Sequence, residues 1–269
     1  LLDYALTHHR LKIAQWFLDH GANPNKFNGF GENPLRLLAL CPDAPESRAL
    51  YASLFARGAN PNLLDEWGAS ALGFCLKRGP TWPIPILLAN GADPWAHGKD
   101  GVTQVHYAAF VGRLDLVKEF VGTKTLAEIR AITPQSFVVA AAGSGDTAVL
   151  QYFLDLGDDI NAQALPLEWD SLRYQCSALH QAVQMLKPGM VNYLIQHKAD
   201  PDAKDGKGET PLFLAAREGR TNCAVALIEG GANPQIEDQG ELPVKCAIDY
   251  SHPETATAME AAIAKRAQK

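Results

Sequence analysis

Gly58-Ala59-Asn60-Pro61-Asn62 is the phrase on which the reading of this chain turns. It returns as Gly21-Ala22-Asn23-Pro24-Asn25, as Gly91-Ala92-Asp93-Pro94 and as Gly231-Ala232-Asn233-Pro234. Looser copies stand at Gly157-Asp158-Asp159-Ile160-Asn161 and Lys198-Ala199-Asp200-Pro201-Asp202. Successive copies begin 37, 33, 66, 41 and 33 residues apart, the third interval being twice the basic one. A fixed period of this length marks a small unit stacked many times, and the 269 residues hold about eight of them.

The unit is clearest from Asp205 to Asn233. Asp205-Gly206-Lys207-Gly208 carries turn chemistry, with Gly supplying a backbone conformation that other residues avoid. Thr210 is placed to cap a helix whose first position is Pro211, where a missing N–H costs nothing. Gly219 ends that helix, and a second apolar helix runs through Ala224-Val225-Ala226-Leu227-Ile228 to Gly230-Gly231. One unit is therefore a turn and two short antiparallel helices. Neither helix can bury its apolar face alone, so neighbours must stack.

With Thr210-Pro211-Leu212 opening the first helix and Gly-Ala-Asn closing the second, the chain resembles the ankyrin-repeat family across essentially all of its length. The family's hallmarks are a Thr-Pro-Leu-His-x-Ala-Ala helix start and a Gly-Ala-Asp-x-Asn ending. Aligned on the motif Leu, the copies fall at Leu2, Leu35, Leu72, Val105, Val138, Leu179, Leu212 and Val244. The resemblance implies an all-α ankyrin solenoid of about eight units, near 1–27, 28–64, 65–97, 98–130, 131–163, 164–204, 205–236 and 237–269, forming a single domain. Most copies are degenerate (Asn33-Pro34-Leu35, Ser70-Ala71-Leu72, Thr103-Gln104-Val105-His106, Ser177-Ala178-Leu179-His180), as in a natural protein rather than a consensus design.

Departures from the repeat come at four places. Four extra residues fall near Pro42-Asp43-Ala44-Pro45, between the helices of one unit. Thr125 to Ile132 replaces a hairpin phrase and reads as helical. About eight extra residues near Gln163 to Gln175 lengthen another hairpin and carry Trp169 and Tyr174. The last unit finishes in Lys265-Arg266-Ala267-Gln268-Lys269, a polar end suited to capping a stack. The first begins without Met inside a first helix, so its edge is expected to be raw unless an upstream segment covers it.

Composition narrows the function. A net charge of −6 argues against nonspecific nucleic-acid binding, which needs a basic face. No run approaches ~18 apolar residues, so no membrane span is expected. Five cysteines, an odd number without C-x-x-C or Cys/His ligand spacing, read as reduced core thiols. That favours an intracellular, cytoplasmic location and is compatible with a secreted effector or periplasmic protein carrying unpaired thiols.

No catalytic constellation emerges. His106 and His180 stand at the motif His, which the family uses for hydrogen bonds between units; Phe213 and Arg36 replace it elsewhere. His8-His9 lacks carboxylates or cysteines at metal-ligand spacing. Gly143-Ser144-Gly145-Asp146 falls at the break between helices rather than at a phosphate loop. Asp158-Asp159 and Asp200/Asp202 begin hairpins and form no acid/base pair. The chain reads as no enzyme, with no cofactor and no metal.

What remains is surface. In the family, contacts come from hairpin tips and from exposed first-helix positions lining a concave groove. The tip position before the motif Gly holds Phe30, Trp67, Asp100, Tyr174 and Lys207, three of them aromatic. First-helix ends hold Lys77-Arg78, Phe110-Val111, Gln184-Met185, Arg217-Glu218 and Asp249-Tyr250. Aromatic rings and Arg are what interface hot spots are made of. The expected partner-binding set is Phe30, Trp67, Lys77, Arg78, Phe110, Tyr174, Met185 and Arg217, on a monomeric, non-catalytic scaffold for a protein partner. The competing reading of the aromatics is packing against neighbouring hairpins, and Trp95, at a hairpin Asn position, is assigned to packing. The alternative function is a targeting or regulatory arm of a longer protein, such as a bacterial effector or a signalling enzyme.

Overall fold

The computed structural model describes residues 1–65, 68–77, 79–167 and 174–268. The chain divides into two compact units, Leu1–Ala108 and Ala109–Lys269. The first contains α1 (Leu2–Thr7), α2 (Leu11–Asp19), α3 (Pro34–Ala39), α4 (Pro45–Ala56), α5 (Ala71–Lys77) and α6 (Ile84–Ala89). Helix α7 (Gln104–Phe110) straddles the division. The second contains α8 (Leu114–Val121), α9 (Leu126–Ile132), α10 (Phe137–Ser144), α11 (Thr147–Asp155), α12 (Ala178–Gln184), α13 (Pro188–Gln196), α14 (Pro211–Arg217), α15 (Thr221–Glu229), α16 (Pro243–Asp249) and α17 (Pro253–Ala267). The described residues are all-α, with only single antiparallel bridges, such as Ala164 with Cys176, in the hairpin arms.

Local chemistry sets the helix ends. The Thr210 hydroxyl accepts from the Phe213 N–H at 3.2 Å, and Pro211 takes the first turn, so α14 starts where the capping residue stands. Gly219 stops it at φ +65°, in the left-handed region. A capping box of Thr125 and Glu128 nucleates α9, the helix that takes the place of a hairpin. Each pair is then buried against the next: α14 packs on α15, α12 and α16, and α15 on α13 and α17. The positions that do this in α14 and α15 are Leu212, Ala216, Ala224 and Leu227, all without solvent exposure.

Two polar devices tie successive pairs. The first is a ladder along the hairpins. Asn25 donates from Nδ2 to the Gly58 carbonyl (2.8 Å) and accepts the Asn60 N–H (2.7 Å). Asn62 repeats both bonds with Gly91 (2.9 Å) and Asp93 (2.7 Å). In the second unit Asn161 accepts from Asp200 N–H and Asp202 from Asn233 N–H, each at 2.8 Å. Trp95 interrupts this row as a half-buried ring.

The second device sits at the motif His position. His180 accepts the Ser177 hydroxyl at Nδ1 (2.8 Å) and donates from Nε2 to the Glu209 carbonyl of the next unit (3.1 Å). Burial holds its imidazole below the usual range, against the upward pull of that carbonyl. Arg36, at the same position, reaches the next hairpin with its guanidinium, 2.7 Å from the Asp65 carboxylate and 4.6 Å over the Phe74 ring. A cation thus does in one place what an imidazole does in another.

The ends of the chain differ in kind. Ile13 and Trp16 of α2 are half exposed, whereas Cys223 and Ala226 at the corresponding positions of α15 are buried. The outer face of α17 is small and polar: Thr257, Glu260, Ala261 and Ala264. Its C-terminal turn folds back, with Lys265 2.6 Å from Glu229 and Arg266 donating to the Ile228 (2.8 Å) and Ala232 (2.7 Å) carbonyls.

Candidate functional site: hairpin tips and first-helix ends

Two of the tips are built by one acid or amide at the start of the turn. Asn28 accepts at Oδ1 from the Phe30 and Glu32 N–H groups, both at 2.9 Å, and its own N–H donates to the Glu32 carbonyl. Asp205 makes the same frame with Lys207 (2.8 Å) and Glu209 (3.0 Å). These Asx turns fix the backbone of the tip and turn the intervening side chain outward. Phe30 is accordingly 78% exposed, the most exposed aromatic ring among the described residues.

Tyr174 is 43% exposed. Gly206 donates to the Gln175 carbonyl at 2.8 Å, binding the two tips together, and the Lys207 ammonium lies 5.4 Å over the Tyr174 ring. Trp67 and Arg78 lie outside the described residues.

The first-helix positions are more engaged. Lys77 is half-buried with its ammonium 5.6 Å over Tyr107. Phe110 is half-buried against Gly143, where any Cβ would stand 2.5 Å from the ring, so the glycine is required by close approach. Met185 is half-buried at the end of α12. Arg217 is paired with both Glu209 and Glu218. Burial raises the Glu209 carboxyl above its ordinary range although Arg217 pulls the other way. Among the described members of the set, Phe30 and Tyr174 are the freest rings.

Sequence reasoning missed several exposed side chains, three of them notable. Tyr4 stands on α1, Trp16 stacks on His20 at 3.8 Å, and Leu186 is exposed at φ +56° in the turn position that Gly112, Gly145 and Gly219 fill elsewhere. The repeat alignment could have found Leu186, since a bulky residue in a left-handed glycine slot stores strain. An open cavity of about 540 Å³ lies beside α1 and α2, lined by Leu2, Phe17, His20, Asn23, Phe27 and Pro34 among others.

All five thiols are buried and unpaired, and burial pushes Cys75 and Cys176 up to about 12 and Cys223 and Cys246 up to about 11. Thiols so placed stay protonated at neutral pH and are poor nucleophiles. Among the described residues no group of His, Cys, Asp and Glu could hold a metal ion, and no helix is long and apolar enough to cross a membrane.

A family model of ankyrin repeats in three copies matches residues 105–205 and 179–261, and a model of ankyrin repeats in many copies matches residues 2–41. The chain belongs to the ankyrin-repeat family. It is 27% identical over 219 residues to the nuclear factor NF-kappa-B p105 subunit of Gallus gallus, covering 80% of this chain and 18% of that protein. It is 24% identical over 255 residues to human (Homo sapiens) Rabankyrin-5, covering 91% and 20%. A 69-residue stretch is 41% identical to the ADP-ribosylation factor GTPase-activating protein AGD2 of Arabidopsis thaliana, 26% of this chain and 9% of that one. This ankyrin-repeat chain thus spans a fifth or less of these relatives' own lengths. Ankyrin repeats are generally modules of protein–protein interaction.

Proposed function

We propose that the chain binds a protein partner, without catalysis, along its hairpin tips and first-helix ends, with Phe30, Trp67, Lys77, Arg78, Phe110, Tyr174, Met185 and Arg217 as the contact set. The observation that carries this is Phe30: a large apolar ring, 78% exposed, on a backbone already fixed by Asn28. A preorganised ring loses little entropy on docking, which is what makes an aromatic a hot spot. A monomer inside the cell fits the buried, unpaired thiols. The partner is identified by affinity capture and mass spectrometry, and its affinity is then measured against variants. Phe30→Ala and Trp67→Ala are expected to weaken binding by about 2 kcal/mol or more with far smaller changes in stability. Unchanged affinity in both variants would remove the tips from the interface.

A second reading is favoured by the short share of each relative that the chain spans: a targeting or regulatory arm of a longer protein, such as an effector or signalling enzyme. The full open reading frame separates the two.

A further inference from the structure

The chain contains two Asn-Gly dipeptides, Asn28-Gly29 and Asn90-Gly91. In such a dipeptide the glycine nitrogen has the least steric hindrance to attacking the preceding side-chain amide, because no Cβ stands in the way. The structure treats the two oppositely. At Asn90 the would-be nucleophile is occupied: the Gly91 N–H donates to the Leu88 carbonyl at 3.1 Å, closing α6, and the Asn90 amide donates to the Ile86 carbonyl at 2.8 Å.

At Asn28 the Gly29 N–H makes no hydrogen bond to the described residues, and a Cβ on Gly29 would meet nothing within 4 Å. The two N–H groups on Oδ1, from Phe30 and Glu32, point at the oxygen on which charge develops when the amide carbon is attacked. Nδ2 donates to the Glu32 carboxylate at 3.0 Å, so an anion stands beside the nitrogen that must leave.

We propose that Asn28 is a spontaneous modification site, at which the hairpin turn promotes its own deamidation. Gly29 N gives up its proton to solvent base and bonds to Asn28 Cγ. The Cγ–Nδ2 bond breaks, and the nitrogen leaves as ammonia by taking back a proton from the conjugate acid of that base; a second proton, from water, makes it ammonium beside Glu32. Water then opens the five-membered imide. Opening at Cγ leaves an aspartate in an ordinary main chain; opening at the main-chain carbonyl leaves an isoaspartyl link. The first product fits the turn, as Asp205 already makes the same two bonds in its own tip. It also sets a second carboxylate against Glu32. The second product adds a methylene to the main chain and re-aims Phe30. Either way a chemical change falls on the tip that bears the most exposed aromatic ring among the described residues.

The test follows the intact protein at neutral pH in water enriched in heavy oxygen, with peptide mass spectrometry resolving aspartyl from isoaspartyl products at both dipeptides. Asn28 is expected to take up heavy oxygen at least about tenfold faster than Asn90 in the folded protein, a small part of the hundredfold or so that one oxyanion donor supplies in an enzyme site. In denaturant most of that difference should disappear, because the turn and the helix end that separate the two sites are then gone. Glu32→Gln should slow Asn28 and leave Asn90 unchanged. Equal rates in the folded protein, or an Asn28 that reacts more slowly folded than unfolded, would show that the turn shields the amide and would overturn the proposal.

Discussion

In the hairpin Gly58–Asn62 the second residue is Ala59; in Gly157–Asn161 the same slot holds Asp158, and both are buried. Ala92, Ala199 and Ala232 fill the slot in other units. A carboxylate in an alanine's place would ordinarily be ruinous, since a buried unpaired charge costs several kcal/mol. Asp158 is supplied with donors from the segment that departs from the repeat. Arg130 of α9 pairs with Oδ1, and the Ser136 hydroxyl (3.1 Å) and Phe137 N–H (3.0 Å) reach Oδ2. Arg130 also donates to the Pro134 (3.1 Å) and Gln135 (2.9 Å) carbonyls, so one guanidinium fastens α9, the extended turn after it and the hairpin. The difference teaches that a motif fixes the course of the backbone, while the energy of a slot depends on what the neighbouring unit brings to it.

The comparison can be broken from either side. Ala59→Asp puts the charge in without its donors, and Arg130→Ala takes the chief donor away. Each is expected to cost about 3–5 kcal/mol in urea denaturation. A cost below about 1 kcal/mol in both would mean that water reaches the slot, and the two hairpins would then be equivalent.

Asp158→Ala restores the common residue and should cost less, about 1–3 kcal/mol, because it strands the Phe137 N–H but no charge in the interior. Combined with Arg130→Ala it should cost clearly less than the two single changes added together. Strict additivity would show that the pair does not act as one.

The hairpin ladder gives a finer contrast. Asn62 makes two bonds to the next hairpin and Asn161 one. Replacement by Ala should cost about 1 kcal/mol at Asn62 and about half that at Asn161, read as a shift in denaturation midpoint. The reverse order would locate the ladder's worth elsewhere than in the count of bonds.

The smallest effect separates neutral from charged bridges. Burial lowers the His180 pKa in the folded chain below its unfolded value of about 6.5. Between those values the unfolded chain binds a proton that the folded one refuses. Its contribution is therefore complete above pH about 6.5 and is lost as the pH falls through the window. His180→Gln should flatten that part of a stability–pH curve; an unchanged slope would assign it to other groups.

Much of this was legible in the sequence because it is periodic. The all-α class, the pairing of helices, the Thr210 cap, the Gly219 stop and the helical reading of Thr125 to Ile132 all rest on local rules that the structure shares. The ankyrin resemblance stands with the family match. What local rules do not contain is partnership. Arg36 was visible at the motif His position, but its carboxylate partner Asp65 sits 29 residues on, and nothing local couples them. Asp158 likewise looked like an ordinary hairpin acid until Arg130 was placed beside it. The tips divide in the same way: turn chemistry indicates that Phe30 projects, while the reach of Lys207 to Tyr174 and the filling of Gly143 by Phe110 depend on packing between units.

The ladder bonds of Asn25, Asn62, Asn161 and Asp202 span only 29 to 39 residues of chain. Each such closure carries nearly the same entropic cost, since that cost grows only by about 0.6 kcal/mol per doubling of the loop. Within either compact unit, then, no contact in the ladder has to wait for distant parts of the chain to meet. Folding can begin at whichever pair of helices forms first and spread outward by one neighbour at a time. Under a pulling force the same arrangement should yield by peeling, giving a row of small steps rather than one large rupture, with the last step at the joint that the Arg130 clasp holds.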